Sequence, residues 1–442
     1  ASGNESCRVI QRLNTFYVLM ACDHDDADEM PDIAADACFR LFERAQADLS
    51  SRQLDVLSAL ELTPGLKTVV AGAGAGKTRT LSFIVQKALM QASVPGVSLL
   101  ASTKTAKCEA FDRASKLYNE VGFTPDVVPS LSMRRVKTIH SVALAHAKER
   151  DVENGGAGVS VVGKAIVTDL IKYFLEEELD PSPKRHGSDD ALEPSDADGA
   201  PTASEVGLKD VAANMSSDDA ASLLYNVRSE RLKNCLPVVD DSLGTTAYKV
   251  LKRLDAEMRC DSNSGQKLCD FDLLMYELSE SGVPLVSKGE VLIIDEAQDL
   301  SFCQVNVVLN TLLADACVVV LGDDSQGIFQ FSGALSNTIH ELKRMSQLHG
   351  IDTTQFRLMQ NHRSNDAVVL ASEAFLPAND TALRKDIRGN ETTNHPVEAA
   401  RCHTPKVITT KLLELVQSKT CEPGDIVVLR HKSFGWGDEL VK

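Results

Sequence analysis

The sequence predicts an α/β fold, a parallel sheet with a helical segment inserted into it. Three observations carry this. From about Ser50 to His146 strand-like and helical stretches alternate, as βα units require. Apolar runs of buried-strand type return at Val291–Ile294 and Ala316–Leu321. Residues 71–78, AlaGlyAlaGlyAlaGlyLysThr, form a glycine-rich turn between the strand-like Leu66–Val70 and the helix-prone Arg79–Val85.

Residues 1–48 read as an extension. It holds an apolar patch at Thr15–Cys22, an acidic run, and the start of an amphipathic helix carrying Leu41, Phe42, Ala45 and Leu49. The patch has neither the length of a membrane span nor the small-residue pattern of a cleaved signal. An intracellular protein, nuclear or cytoplasmic, is expected. The 442 residues suffice for two or more domains.

Residues 150–265 are mostly helical in pattern, interrupted by a Pro/Ser/Asp-rich stretch around Pro181–Ala203. They are expected to form an inserted helical subdomain with a disordered acidic loop at about 181–222. A further unit is expected from residue 351 to the end, with a strand at Asp425–Leu429.

The formal net charge is −17, which on its face argues against nucleic acid. The acid is concentrated, however. Asp23–Asp36 contains seven acidic residues and no Lys or Arg, and Asp189–Asp219 contains nine against one lysine. Net charge therefore does not describe the face that meets a partner. The eleven cysteines form no C-x-x-C pair, so neither a zinc framework nor a disulfide scaffold is expected. Reduced thiols packed in the interior are.

The glycine-rich turn has the context of a phosphate-binding loop. Gly72, Gly74 and Gly76 let backbone N–H groups curl inward toward phosphate oxygens. The positive end of the following helix adds to the attraction. Lys77 can reach the β- and γ-phosphates, and the Thr78 hydroxyl can hold Mg²⁺. A glycine-rich turn with a lysine can also be only a connector.

After the strand-like Val291–Ile294 come Asp295, Glu296, Ala297 and Gln298. Asp295 can hold Mg²⁺, and Glu296 can polarise the water that attacks a γ-phosphate. The same pair can equally cap a helix. The next strand ends in a polar loop from Gly322 to Ala334. There Gln326 can sense a γ-phosphate, while Phe329 and Phe331 can stack on bases or fill a core.

Taken together, the chain resembles a superfamily 1 DNA helicase of the UvrD/Rep/PcrA type. Gln53 matches the glutamine of that family's adenine-reading motif. Residues 71–78, from Ala71 through Gly72, Ala73, Gly74, Ala75 and Gly76 to Lys77 and Thr78, match motif I, followed by Arg79. Leu99–Ala106 resembles motif Ia, Val136–Ser141 motif Ib, and Asp270–Leu274 the short motif before the second acidic strand. Asp295–Asp299 is similar to motif II, residues 322–334 to motif III, and Gln360–Ser364 to motif IV. The ordered set, over roughly residues 50–370, is more specific than any one motif.

The resemblance implies two RecA-like domains. The first takes 49–149 and 266–350, the helical subdomain 150–265 is inserted into it, and 351–442 begins the second. It implies ATP and Mg²⁺ as cofactors, and single-stranded or partial-duplex DNA as partner, with no membrane. It also implies Arg363 as an arginine finger and His362 stacked on adenine, where the family usually has Tyr. Thr103, His140, Phe329 and Phe331 would face DNA. Thr103 and His140 can also be a turn hydroxyl and an ordinary satisfied histidine. Family motifs V and VI are not found after Arg363, and a piece of a longer helicase is expected. The activity implied is ATP-driven movement on single-stranded DNA, 3′ to 5′, in repair or recombination. The alternatives are a catalytically incomplete nucleotide-binding scaffold, the helicase arm of a RecB-like helicase–nuclease, and a P-loop ATPase acting on protein.

Overall fold

Strand β1 (Gly65–Ala71) lies inside a six-stranded sheet. The computed structural model of the chain describes residues 49–90, 95–101, 136–179, 215–240, 243–259, 265–330, 333–374, 387–389 and 405–418, with 422, 424 and 426. The other strands of the sheet are β2 (Val97–Ala101), β3 (Val136–Thr138), β6 (Val291–Ile294), β7 (Cys317–Gly322) and β8 (Thr353–Leu358). Their order is β3-β2-β6-β7-β1-β8, and every neighbouring pair is parallel. All residues of β6 and β7 are buried, as expected of central strands covered on both faces. Val69, Ile84, Ile293, Val319, Leu321 and Leu358 belong to one apolar cluster that packs a sheet face.

Helix α1 (Ser51–Ala59) begins with a reciprocal capping box between Ser50 and Gln53. Helix α2 (Lys77–Met90) follows the glycine-rich turn. Helix α3 (Ile139–Glu153) leaves the end of β3. A small parallel pair, β4 (Val159–Val161) with β5 (Lys267–Cys269), marks where the chain departs into the insert and returns.

Between them lie helices α4 (Lys164–Leu179), α5 (Ser217–Lys233) and α6 (Thr245–Arg259). Helix α6 buries Ala247, Val250, Leu251, Leu254 and Met258, a single stripe at helical spacing. Helices α7 (Phe271–Glu280), α8 (Phe302–Leu313), α9 (Thr338–Leu348) and α10 (Asp366–Ala374) complete the described part of the larger unit. Helix α7 packs on α3, α5 and α8, which seats the insert on the sheet-bearing part.

Two expectations change. Strand β8 lies past residue 351, the expected start of a second domain, yet it is the sixth strand of the first sheet, in register from Leu66↔Thr353 to Ala71↔Leu358. The acidic loop expected to run to 222 ends sooner. Helix α5 starts at Ser217, because the Ser216 hydroxyl caps it and Asp218 and Asp219 complement the positive end of its first turn.

By internal contacts the chain divides into a larger unit, residues 1–183 and 206–394, and a smaller one, 184–205 and 395–442. The described part of the smaller unit is mainly helix α11 (Pro405–Gln417). The expected N-terminal helix up to residue 48, most of the acidic loop and, apart from residue 426, the strand expected at 425–429 lie outside the described residues. Among the described residues no helix is long and apolar enough to cross a membrane.

Candidate functional site

The glycine-rich turn, the acidic pair and the polar loop all sit at the carboxyl ends of adjacent strands. Open parallel sheets gather ligand sites at this edge. β1 runs into the turn, β6 into Asp295 and β7 into Asp323.

Gly74 and Gly76 have φ of +67° and +75°, so the turn takes the left-handed conformation a curled anion cradle needs. At Gly74 space is also tight. A Cβ there would come within 2.5 Å of Asn361 Oδ1 and 2.9 Å of Arg363 Cβ. The reason is a docked turn. Gly72 N–H donates to Leu358 O (2.9 Å), and His362 N–H donates to Gly74 O (2.9 Å). Asn361 is buried, and its Oδ1 accepts from the N–H groups of Arg363 and Ser364, both at 2.7 Å. The residues after β8 are thereby folded against the glycine-rich turn, with the side chains of His362 and Arg363 exposed beside it.

Lys77 opens α2 and points its ammonium at Glu296, Nζ to Oε2 2.5 Å. Glu296 is held in a left-handed backbone (φ 51°, ψ 46°). That is costly for a residue with a side chain and is typical of functional turns. Asp295 Oδ1 accepts from the Glu296 N–H (2.9 Å) and braces this conformation. Burial alone would raise the Glu296 carboxyl. The hydrogen bond and charge of Lys77, with a hydrogen bond from Gln298, outweigh it and hold the group below the usual carboxylate range.

A polar chain extends from this pair. Gln298 Nε2 donates to Glu296 Oε2 (2.8 Å), and its Oε1 accepts from Asp323 N–H (3.0 Å). Asp323 is fully buried and accepts from Ser325 and from Gln326 Nε2 (2.7 Å). Gly322 allows the approach, since a Cβ there would meet Gln298 Oε1 at 2.6 Å. Lys77, Glu296 and Gln326 are thus joined through two residues to which the sequence reading gave no role, Gln298 and Asp323. Their signal was position alone, each beside a strand end carrying a named residue.

Gln53 lies under the glycine-rich turn. It is 3 % exposed, and its amide is engaged on both sides. Oε1 accepts from Ser50 N–H and hydroxyl (3.0 and 3.1 Å), while Nε2 donates to Gly76 O (3.4 Å) and Thr80 Oγ1 (3.2 Å). It braces α1 under the glycine-rich turn. Of the remaining loop residues, Ala71 and Ala75 are buried, Thr78 is half-buried, and Ala73 and Arg79 are exposed. A carboxylate at Asp295 and a hydroxyl at Thr78 are the hard oxygen donors Mg²⁺ prefers, so the residues present fit that ion.

His140 and Phe329 line a cavity of about 330 Å³ together with Asp272, Lys233, Asp295 and Asp299. The His140 ring meets Phe271 edge-on, centroids 5.1 Å apart. Burial lowers the His140 pKa, opposed by the charge of Asp272, and favours the neutral imidazole. Asp299 Oδ1 is buried without a hydrogen-bond partner, and burial, then the charge of Glu296, pushes this carboxyl up to about 6. Asp295 is therefore a wall shared by the acidic turn and the cavity that holds His140 and Phe329. Thr103 and Phe331 lie outside the described residues.

The chain is 22% identical over 391 residues to the ATP-dependent DNA helicase PcrA of Leuconostoc citreum, covering 84% of this chain and 45% of the relative. It is 21% identical over 413 residues to a probable DNA helicase II homolog of Mycoplasma capricolum subsp. capricolum, covering 88% and 50%. The chain thus spans about half the length of these relatives. Residues 55–347, from α1 through α9, match the family model described as the UvrD/REP helicase N-terminal domain, and the chain belongs to that family.

Proposed function

We propose that this chain carries the ATP-hydrolysing half of a DNA helicase that moves on single-stranded DNA, 3′ to 5′, in repair or recombination. The observation that carries the reading is the Lys77–Glu296 pair, tied through Gln298 and Asp323 to Gln326. The reading is supported because this network joins an ammonium, a carboxylate able to take a proton from water, and a glutamine of the loop after the next strand.

In this reading the curled amides after Gly72 grip the β- and γ-phosphates. Lys77 leaves Glu296 for the phosphate and neutralises charge that grows as the γ-phosphoryl group departs. Glu296, released from the ammonium, accepts the proton of the attacking water. Arg363, held beside Gly74 by the docked turn, approaches the same phosphate. Asp295 and Thr78 would hold Mg²⁺, which when bound supplies charge neutralisation at the phosphate oxygens. The shared cavity wall at Asp295 gives the γ-phosphate end a route to His140 and Phe329, and so to a stacked base.

In the full-length protein, Lys77→Ala and Glu296→Gln should each lower DNA-stimulated ATP turnover by about 10²–10⁴-fold. Nucleotide affinity should fall only for Lys77→Ala. Normal single-turnover hydrolysis by Glu296→Gln would remove the general-base assignment. ATP bound without turnover by the unmodified protein would favour a non-catalytic module. Turnover indifferent to single-stranded DNA at low salt, where phosphate contacts are strongest, would remove the DNA reading.

A further inference from the structure

Two thiols meet where the insert touches the sheet-bearing part. Cys235 Sγ lies 2.8 Å from Cys303 Sγ, and neither cysteine is in a disulfide. The sulfurs are about 0.8 Å short of an S–S bond. Cys303 is fully buried as the second residue of α8, and Cys235 is half-buried just past α5.

The backbone at Cys235 is unusual. Leu236 N–H donates to Arg231 O (2.8 Å) and Cys235 N–H to Leu232 O (3.0 Å), the two bonds that close a helix in a Schellman turn. The left-handed residue of such a turn is normally glycine. Here it is Cys235, with φ of 54°. This strained position aims the sulfur at Cys303. Asn306, one turn along α8, donates its side-chain N–H to Cys235 Sγ (3.3 Å), and Ser279 Oγ lies 3.4 Å away.

We propose that Cys235 and Cys303 are a thiol–disulfide pair, oxidised by a small peroxide, that fastens the end of α5 to the start of α8. Cys235 is the attacking sulfur. The contact with Cys303 holds its thiol below the usual thiol range, with burial opposing and Ser279 and Asn306 assisting. Its thiolate attacks one peroxide oxygen and the O–O bond breaks. The departing hydroxide takes a proton as water, leaving a sulfenic acid on Cys235. The Cys303 sulfur then attacks the Cys235 sulfur, the S–O bond breaks, and the hydroxide leaves with the Cys303 proton as a second water. Two thiols lose two electrons to one peroxide. The contact with Cys235 and burial push the Cys303 thiol up, so what singles it out is its 2.8 Å approach to the Cys235 sulfur. Among the described residues the buried Cys269 and Cys317 have no such contact, and they are expected to stay thiols under the same treatment.

The experiment exposes the full chain to a modest excess of hydrogen peroxide, alkylates it, digests it without reduction and maps the peptides by mass spectrometry. A Cys235–Cys303-linked peptide, lighter by two hydrogens and lost on treatment with dithiothreitol, is expected as the main product. Cys235→Ser should abolish the link and leave Cys303 fully alkylated. Cys303→Ala should drive Cys235 to sulfinic acid. Unlinked over-oxidised Cys235 in the wild-type chain, with Cys303 still alkylated, would overturn the proposal whatever either substitution does to folding.

Discussion

Asp299 is a residue whose position works against it. Its buried oxygen has no hydrogen-bond partner, and its pKa is raised to about 6, against about 4 in an unfolded chain. A native carboxyl that binds its proton more tightly than the unfolded one makes stability fall as pH rises from about 4 to 6. Asp299→Asn should therefore stabilise the protein at pH 7, by about 1 kcal/mol after allowing for partial solvent screening, and have little effect at pH 4. Urea midpoints at the two pH values measure this, and an equal effect at both would refute the burial argument. Residue-level placement was only partly legible in the sequence. The positions of Lys77 and Glu296 just past strand ends were, because a glycine-rich turn and an acidic pair each follow an apolar strand-like run. The inward turn of Gln53 and the bridging by Gln298 were not. Amide orientation is set by neighbours distant in sequence, here Thr80 and Asp323.

At the scale of elements, α5 and α7 are joined by a buried ion pair. Arg228 Nη1 lies 2.5 Å from Asp270 Oδ2, and Asp270 also caps α7 through Leu273 N–H (2.9 Å). Removing one partner leaves the other charge buried and alone. Asp270→Ala should cost about 3–5 kcal/mol in chemical denaturation, while Arg228→Met with Asp270→Leu should cost clearly less. A double variant as unstable as the single one would show that capping, not charge, dominates. Elements were legible where burial made them uniform, as in Val291–Ile294 and Cys317–Gly322. Strand β8 was harder to place. Its sequence, Thr353-Thr354-Gln355-Phe356-Arg357-Leu358, is polar because it is an edge strand, and only Leu358 is fully buried. The start of α5 was hidden for a related reason, since the acids in its first turn read as a solvated run.

For the molecule as a whole, the large-scale plan was legible, because alternating βα stretches with an interruption leave few topologies. The sheet order was not, since pairing is set by contacts such as β1 with β7 that no local pattern encodes. One of those pairings changes how the protein must be made. The match to the family model ends at residue 347, before β8, yet Leu358 and His362 supply the clamps on Gly72 and Gly74. A polypeptide stopped before β8 holds Lys77, Asp295 and Glu296 but lacks the backbone partners of Gly72 and Gly74. Chains stopped after residue 347 and after residue 374 should differ sharply in nucleotide affinity, the shorter binding at least about tenfold more weakly in calorimetry. Competence to grip a triphosphate would then be a late event of synthesis, withheld until the sixth strand has been delivered.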